Sequence, residues 1–333
     1  MKVDNLAIIG AGGWGTALGV LWANLAPKVI LWGNNRVRIE QMRTTRENRP
    51  YLPGIRLPDS LHLTNRLEDC SEADLIVLVV PSTAMRTVAA RLRDSLANER
   101  ARFLSCTKGI EHGSGMRMSE ILTEIFPKRR IGVLSGPNLA PEVSRGLPTA
   151  TVLACSEPEC ATELQALLGS AYFRIYTADD VPGVELGGAL KNVFALAAGA
   201  SEGLGLGDNS KAALVTRALA ELIRLGTAMG GWLSTFYGLS GAGDLVLTCY
   251  SKQSRNRRVG ERLGRGESLQ QITSTMQMIA EGVPTANSAY ECARKLKIDT
   301  PIIDQVYALL YENKPAVQAL TDLLGRAPKP ERT

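Results

Sequence analysis

The first half of the chain alternates between two patterns of hydrophobic and polar positions. Short β-branched or otherwise apolar runs are separated by longer amphipathic segments, a pattern typical of βαβ units in a parallel sheet. The run at 75–80 is apolar throughout, which indicates a strand buried on both faces, and Pro81 ends it because proline has no N–H to donate. The predicted strands are residues 6–9, 28–32, 61–64, 75–80, 103–106, 131–134, 150–154 and 173–176, with a helix over 158–168.

The pattern changes after Pro182. The β-branched runs disappear, and apolar residues at helical spacing continue to the end of the chain. The helices predicted in this half are residues 184–201, 210–229, 256–263, 285–295, 302–311 and 317–324. We therefore predict two domains: an α/β domain over residues 1–181 with a doubly wound, mostly parallel sheet, and an all-helical domain over residues 182–333.

Length and composition agree with two globular domains. The 333 residues are 45% hydrophobic and 21% charged, and about one domain per 150 residues is usual. The net charge of +5 is mild, so it favours an anionic small ligand over nucleic acid, which usually requires a dense basic stripe. Only two histidines are present, His62 and His112, which excludes a site built from several histidines, and no metal site is predicted.

The cysteines and the N-terminal residues bear on where the protein acts. The six cysteines include no C-x-x-C pair, and the first apolar run is a poor secretory signal because Asp4 precedes it and glycines interrupt it. Disulfides are an alternative, but reduced thiols in a cytoplasmic protein are favoured. No stretch of 18 apolar residues occurs, so no membrane span is expected.

A glycine-rich turn follows the first predicted strand. Its sequence, GAGGWG at 10–15, lies between a strand and a helix, where G-x-G-x-x-G is the fingerprint of a Rossmann-type dinucleotide-binding domain. Gly10 would make the turn, Gly12 would admit the pyrophosphate, and Gly15 would let the helix pack on the strand. The N–H groups at the helix start would bind the pyrophosphate. A glycine turn without a ligand is the alternative.

The end of the second strand bears on which dinucleotide is bound. Proteins that use NAD usually carry an acidic residue there, which binds the ribose 2′-hydroxyl. This strand ends in WGNNR at 32–36, without a carboxylate, and Arg36 and Arg38 could face a 2′-phosphate instead. NADP(H) should therefore be accepted, although the arginines could also merely decorate the following helix.

Lys191 is the only charged residue in the 16-residue apolar segment 186–201. A helix so apolar is buried nearly all round, and desolvation lowers the pKa of a buried lysine toward neutrality. Such a lysine can act as a general acid or base. The alternative is a lysine at the edge of the apolar stripe whose ammonium reaches water.

Other polar residues follow predicted strands or lie among glycines. Lys108 follows the strand at 103–106, and the segment SGPN at 135–138 follows the strand at 131–134, at the sheet edge where parallel sheets bind ligands. Glycines around Asp244 allow another group to approach it, and the segment SRN at 254–256 could bind phosphate or carboxylate. Nucleic acid is disfavoured there, because no aromatic or further basic cluster extends the segment.

Together these segments closely resemble NAD(P)-dependent glycerol-3-phosphate dehydrogenase of the bacterial type, over nearly the whole chain. Besides the glycine turn, the matching segments include LWG at 31–33, YLP at 51–53, TKG at 107–109, SGP at 135–137, GLPTA at 146–150 and SRN at 254–256. The resemblance implies reduction of dihydroxyacetone phosphate to glycerol 3-phosphate, the head-group precursor of phospholipids. NADP(H) or NAD(H) would be the cofactor.

The resemblance also assigns residues by position. Lys191 would donate and accept the proton, Lys108 would lie beside cofactor and substrate, and Asp244 is expected to hold the Lys191 ammonium. Together with the glycine turn and Arg36, the cofactor site would comprise Gly10, Gly12, Gly13, Trp14, Gly15, Asn34, Arg36, Lys108, Ala140, Arg255, Ile279 and Glu281. The substrate site would comprise Lys108, Gly136, Asn138, Lys191, Asn192, Asp244, Ser254, Arg255 and Asn256.

Two positions depart from the family pattern. Gly13 stands where the family usually has serine, which removes a hydroxyl near the pyrophosphate, and Asn138 stands where it has serine or threonine, which alters a substrate contact.

The sequence leaves two other functions open. Another lysine-using dehydrogenase, acting on a 3-hydroxy acid or a sugar acid phosphate, would share the fold and Lys191-Asn192 but need not have the segment SRN at 254–256. A non-enzymatic NADPH sensor would share only the glycine turn, and would have no reason to keep a charge in a buried helix. The oligomeric state is also open, with a homodimer as the candidate.

Overall fold

The computed structural model of the chain describes residues 2–276, 280–328, 330 and 331. Its strands are β1 (Asn5–Ile9), β2 (Lys28–Trp32), β3 (Glu47–Asn48), β4 (Leu52–Arg56), β5 (Leu61–Thr64), β6 (Leu75–Leu78), β7 (Arg102–Ser105), β8 (Ile131–Ser135), β9 (Thr149–Cys155) and β10 (Phe173–Ala178). Every strand predicted from the sequence is present, with ends that differ by at most two residues. The strand predicted at 75–80 ends earlier, at Leu78, because the chain then leaves the sheet toward Pro81.

One sheet contains eight of the strands, in the order β10-β9-β8-β7-β6-β1-β2-β5. All neighbouring pairs are parallel except β8 and β9. The prediction of a doubly wound, mostly parallel α/β sheet is therefore confirmed. Because β1 lies between β6 and β2, the direction of strand addition reverses there, and a ligand crevice opens at its carboxyl end.

A small antiparallel pair, β3 and β4, was not predicted. β3 is only two residues long, and β4 contains Pro53 and Gly54, two residue types that are depleted in strands. Local sequence therefore gave no strand signal for this hairpin, which packs Leu52 and Ile55 beside the first helix.

The helices are α1 (Gly13–Trp22), α2 (Arg36–Thr45), α3 (Met85–Ser95), α4 (Met118–Ile125), α5 (Ala140–Val143), α6 (Pro158–Leu168), α7 (Val181–Gly203), α8 (Gly207–Ala228), α9 (Leu233–Phe236), α10 (Asp244–Tyr250), α11 (Arg255–Gly264), α12 (Leu269–Ser274), α13 (Gly282–Leu296), α14 (Pro301–Tyr311) and α15 (Ala316–Leu324). Two 3₁₀ turns, Leu67–Cys70 and Ser82–Ala84, and a π-helical turn, Leu239–Gly243, complete the set. In the part of the chain that the structure describes, no strand follows β10, which confirms the all-helical second half.

Helix α7 forms the centre of the helical half. It begins at Val181, earlier than predicted, because the Asp180 side chain accepts a hydrogen bond from the Gly183 N–H at 2.9 Å and Pro182 suits a first helical turn. Two glycines allow α11 to cross α7 with the backbones in contact. A Cβ on Gly199 would lie 1.9 Å from the Arg257 carbonyl oxygen, and one on Gly260 would lie 1.9 Å from that of Leu196.

Three further features of the chain bear on function. Among residues 2–276, 280–328, 330 and 331, no helix has the length and apolar character needed to cross a membrane. Over the same residues, no group of His, Cys, Asp and Glu side chains is arranged to hold a metal ion. The six cysteines, all of which are described, have free thiols.

Candidate active site

Two lysines converge on one buried carboxylate. Lys191 lies in the middle of α7, Lys108 lies in the loop after β7, and Asp244 is the first residue of α10. Lys191 Nζ donates to Asp244 Oδ1, and Lys108 Nζ donates to Oδ2 at 2.5 Å. Asp244 has no exposed surface, so each of its oxygens is occupied by an ammonium from a different part of the fold. The sequence predicted Asp244 as the partner of Lys191, and the structure adds Lys108.

Burial determines the protonation of Lys191. Its side chain is 8% exposed, and this desolvation lowers its pKa to about 7. The charge of the Asp244 carboxylate raises the pKa of Lys191 and so opposes this effect, whereas the neighbouring charge of Lys108 lowers the pKa further. A lysine with a pKa near neutrality can both give and take a proton, so the group can serve a reaction in either direction.

Glycines allow Asp244 to reach α7. The π-helical turn Leu239–Gly243 immediately precedes it, and a Cβ on Gly241 would lie 2.1 Å from the Phe236 carbonyl oxygen. On α7, a Cβ on Gly187 would lie 2.6 Å from the Ser240 carbonyl oxygen. The glycines around Asp244 therefore permit the close approach on which the contact with Lys191 depends.

Thr248 is a site residue that the sequence analysis missed. Its Oγ1 accepts a hydrogen bond from Lys191 Nζ at 2.8 Å and donates one to the Asp244 carbonyl oxygen at 2.6 Å. The hydroxyl thus helps to fix the position of the ammonium. Its spacing in the sequence could have identified it, because Thr248 lies four residues after Asp244 and therefore on the same face of α10.

The loops after β7 and β8 meet at Lys108. Its ammonium donates a second hydrogen bond, to the Gly136 carbonyl oxygen, at 3.1 Å. Asn138 lies in the same loop, but its amide faces β9, donating to the Ala150 carbonyl oxygen at 3.1 Å and accepting from Thr151 Oγ1 at 3.0 Å. The structure thus brings Gly136 to Lys108, whereas the substrate contact of Asn138 stays a prediction.

A pair of asparagines connects three helices beside Lys191. The Asn256 side chain on α11 donates from Nδ2 to Asn192 Oδ1 on α7 at 2.8 Å, and its Oδ1 accepts from the Gly282 N–H at the start of α13 at 2.9 Å. Both side chains are buried. These bonds fix the start of α11 relative to the lysine.

The start of α11 is suited to an anion. The Ser254 hydroxyl caps the helix by accepting from the Arg257 N–H at 3.2 Å, and Arg255 is the first helical residue, with an exposed side chain. The positive end of a helix dipole and a guanidinium group both attract phosphate.

The glycine turn has the shape needed for a dinucleotide. Gly10 has a φ of 126°, and a Cβ there would lie 2.5 Å from the Val79 carbonyl oxygen, so only glycine fits. A Cβ on Gly15 would lie 1.8 Å from the Gly10 carbonyl oxygen. By contrast, a Cβ on Gly12 would meet no atom within 4 Å. Gly12 therefore borders open space at the start of α1, where the helix N–H groups can bind a pyrophosphate.

Comparisons with known proteins agree with this geometry. Residues 5–161 match the model of the NAD-dependent glycerol-3-phosphate dehydrogenase N-terminus, and residues 180–321 match that of the C-terminus. A protein of Geobacter metallireducens named glycerol-3-phosphate dehydrogenase (NAD(P)+) is 48% identical, with 99% of each chain aligned. The corresponding protein of Desulfotalea psychrophila is 46% identical over 98% of each chain. The chain belongs to the NAD-dependent glycerol-3-phosphate dehydrogenase family.

A solved member of the family has the same fold throughout. The crystal structure of glycerol-3-phosphate dehydrogenase from Coxiella burnetii superposes with a TM-score of 0.93 at 38% identity, covering 97% of this chain and 99% of that one. The resemblance inferred from the sequence is therefore confirmed, and so is NAD(P)(H) as the cofactor.

The residues predicted for the adenosine side of the family's cofactor lie around the carboxyl end of β2. Asn34 is exposed, and Arg36 begins α2 with its side chain exposed. The Arg38 guanidinium lies 4.3 Å from the centre of the Tyr51 ring, and the Tyr51 carbonyl oxygen would be 3.0 Å from a Cβ on Gly13. The hairpin thus brings Tyr51, which was not predicted as a site residue, to the glycine turn.

The remaining residues predicted to bind the cofactor lie in both halves of the chain. Trp14 and Ala140 are partly buried against the small core beneath the hairpin. Glu281, just before α13, accepts a hydrogen bond from the Ser82 hydroxyl at 2.6 Å. Burial raises the pKa of Glu281, which the bonds from Ser82 and the charge of Arg255 oppose. Ile279 lies outside the described residues.

Proposed function

We propose that the protein catalyses the NAD(P)(H)-linked interconversion of dihydroxyacetone phosphate and sn-glycerol 3-phosphate. The observation that carries the proposal is the buried Lys191 held by Asp244 and Thr248. Asp244 also binds Lys108, which follows β7 at the same edge of the sheet as the glycine turn after β1. Family membership supports it, since the relatives at 46–48% identity carry this name. The reaction supplies the head-group precursor of phospholipids.

In this proposal Lys191 donates a proton to the carbonyl oxygen of the substrate. The turn at Gly12 and the first N–H groups of α1 would hold a dinucleotide at its pyrophosphate, and the chemistry that this cofactor would supply is hydride transfer. Asp244 and Thr248 fix the Lys191 ammonium, so that it meets the negative charge developing on the oxygen. Lys108 adds a second positive charge beside it. In the reverse direction the neutral Lys191 amine accepts the proton.

The phosphate of the substrate is proposed to bind at the start of α11. Arg255 would bind two phosphate oxygens in parallel, and the capped helix terminus would contribute its N–H groups. Asn256, joined to Asn192, holds this helix start beside Lys191. Binding at one end of a short substrate thereby orients the carbonyl at the other.

The function is tested by following NADPH oxidation with dihydroxyacetone phosphate, unphosphorylated dihydroxyacetone and a panel of 3-oxo acids. Rapid oxidation with dihydroxyacetone phosphate alone is expected. Preference for a 3-oxo acid would instead indicate a related lysine-using dehydrogenase, and no oxidation with any of them would favour a sensor that binds NADPH.

NADPH is expected to bind at least as tightly as NADH. The β2 strand ends without a carboxylate that would repel a 2′-phosphate, and Arg36 and Arg38 lie at the start of α2. The two dissociation constants, measured at one salt concentration, test this, and Arg36→Ala should weaken only NADPH binding. A tenfold preference for NADH, which corresponds to about 1.4 kcal/mol, would contradict the role given to these arginines.

We further propose that the protein is a homodimer. The support is an exposed apolar surface around α9, where Trp232, Leu233 and Tyr237 are each more than half exposed, since such clusters commonly mark protein interfaces. Light scattering should give twice the 35.8 kDa chain mass, and Leu233→Glu with Tyr237→Glu should give the monomer. A wild-type protein that stays monomeric at micromolar concentration would overturn the proposal.

We also propose a domain boundary at 181/182 and action in the cytoplasm. The boundary is supported by the start of α7 at Val181, after the last strand of the sheet. The cytoplasm is supported by the free thiols, five of which are buried.

A further inference from the structure

A hydrogen-bonded pair connects the two halves of the chain at the sheet edge where the dinucleotide is proposed to bind. Ser82 follows β6, and Glu281 precedes α13, 199 residues later. The Ser82 hydroxyl donates to Glu281 Oε2 at 2.6 Å, and the Ser82 N–H lies 3.4 Å from the same oxygen. Both donors of Ser82 therefore reach one oxygen of the carboxylate, and the other oxygen, Oε1, takes no bond from Ser82.

The loop that carries Ser82 is closely held. The Thr107 hydroxyl donates to the Val80 carbonyl oxygen at 2.8 Å, which joins the loops after β6 and β7. A Cβ on Gly109 would lie 2.4 Å from Ser82 Cβ and 2.7 Å from its Oγ, so this glycine leaves room for the serine. Ser82 is itself buried. These contacts hold the Ser82 hydroxyl in one position, from which it can orient the Glu281 carboxylate.

The place of the pair along the sheet edge indicates which part of a bound dinucleotide would lie beside it. The glycine turn, where the pyrophosphate is proposed to bind, follows β1, and Lys108 follows β7. Since β6 lies between β1 and β7 in the sheet, Ser82 lies between the pyrophosphate site and the reacting groups. In NAD(P)H the ribose attached to nicotinamide joins the pyrophosphate to the reacting ring, and its two hydroxyls are donors for a carboxylate.

From this arrangement we infer that Ser82 is a positioning residue for the cofactor, which acts through Glu281. It orients the carboxylate so that Oε1 accepts from the hydroxyls of the nicotinamide ribose. The inference rests on the proposed function, because it concerns the same cofactor site. Since Glu281 belongs to the helical half and Ser82 to the sheet half, the pair makes both halves contribute to holding the ribose.

Cofactor binding in variants at these two positions tests the inference without turnover. Ser82→Ala should weaken the binding of NADH and NADPH equally, by roughly tenfold, because the ribose is common to both. ADP, which contains the adenosine and pyrophosphate but no nicotinamide ribose, should bind as it does to the wild type. Thr83→Ala, an exposed hydroxyl in the same turn, is the matched control and should change nothing.

A double-mutant comparison separates positioning from a structural role. If Ser82 acts through Glu281, Ser82→Ala should have little further effect in a Glu281→Ala background. An unchanged affinity of Ser82→Ala for NADH, equal weakening of ADP, or a further tenfold loss in the Glu281→Ala background would each overturn the inference. Because binding is followed by nicotinamide fluorescence and, for ADP, by calorimetry, an inactive wild type would refute the proposed reaction and leave this test intact.

Discussion

Lys191→Ala is expected to lower kcat for dihydroxyacetone phosphate reduction by on the order of 10²-fold or more, the size typical of a positioned proton-transfer group. The variant should fold, since Asp244 keeps its bond from Lys108, and it should bind NADPH as the wild type does. Stopped-flow and steady-state rates, with the dissociation constant of NADPH, measure the two effects separately.

Two further variants serve as controls for Lys191. Lys191→Met keeps the length of the side chain but not the charge, so it should lose as much activity as Lys191→Ala. Lys211→Ala removes another buried lysine, paired with Glu202 and not with Asp244, and should keep near-normal turnover. Near-normal turnover of Lys191→Ala would mean that another group donates the proton.

The pH dependence should be opposite in the two directions of the reaction. Burial lowers the pKa of Lys191 to about 7. Reduction needs the ammonium, so its kcat/KM should fall about tenfold per pH unit as the pH rises above 7. Oxidation of glycerol 3-phosphate needs the neutral amine, so its kcat/KM should rise up to about pH 7 and then level off. A reduction profile that stays flat from pH 6 to 9 would contradict the assignment.

The second large effect is expected for Arg255→Lys, and only with the phosphorylated substrate. Lysine keeps the charge but loses the planar pair of donors, so kcat/KM for dihydroxyacetone phosphate should fall by roughly 10- to 100-fold. With unphosphorylated dihydroxyacetone, itself a very poor substrate, the loss should be small, because there is no phosphate to bind. Measuring both enzymes with both substrates gives the coupling directly.

Arg258→Lys, an exposed arginine on the same helix, is the matched control and should leave both substrates unaffected. Equal losses for Arg255→Lys on the two substrates would place Arg255 at the cofactor or in the fold. The phosphate site would then have to be sought at Lys108 and Asn138.

Most of the sheet was predictable because its central strands β1, β2, β6 and β7 are buried on both faces. A run such as 75–80 has no polar position, so the sequence shows a strand without any knowledge of its neighbours. The hairpin of β3 and β4 was not predictable, because its stability comes from packing against α1 and not from its own residues.

The sequence indicated the candidate site residues one at a time and paired Asp244 with Lys191, but it did not show their other contacts. Lys191 is conspicuous as the single charge in the apolar segment 186–201, and Asp244 as the acid among glycines. The bond between Lys108 and Asp244, 136 residues apart, is set by the way the loop after β7 meets α10. The pairing of Ser82 with Glu281 likewise depends on how the two halves pack, which no local pattern encodes.

The contact between α7 and α11 has a consequence for which substrates can react. Because Gly199 and Gly260 let the two backbones touch, the separation between Lys191 and the start of α11 is set by main-chain atoms, which cannot change rotamer. The pair of helices would therefore fix the distance between the proposed proton donor, Lys191, and the proposed phosphate site at the start of α11. A ketose phosphate with one more carbon between its carbonyl and its phosphate would be too long for this distance. On the proposed function, selectivity for a three-carbon skeleton would follow from the helix crossing, and remodelling of side chains in the pocket alone is not expected to lengthen the accepted substrate.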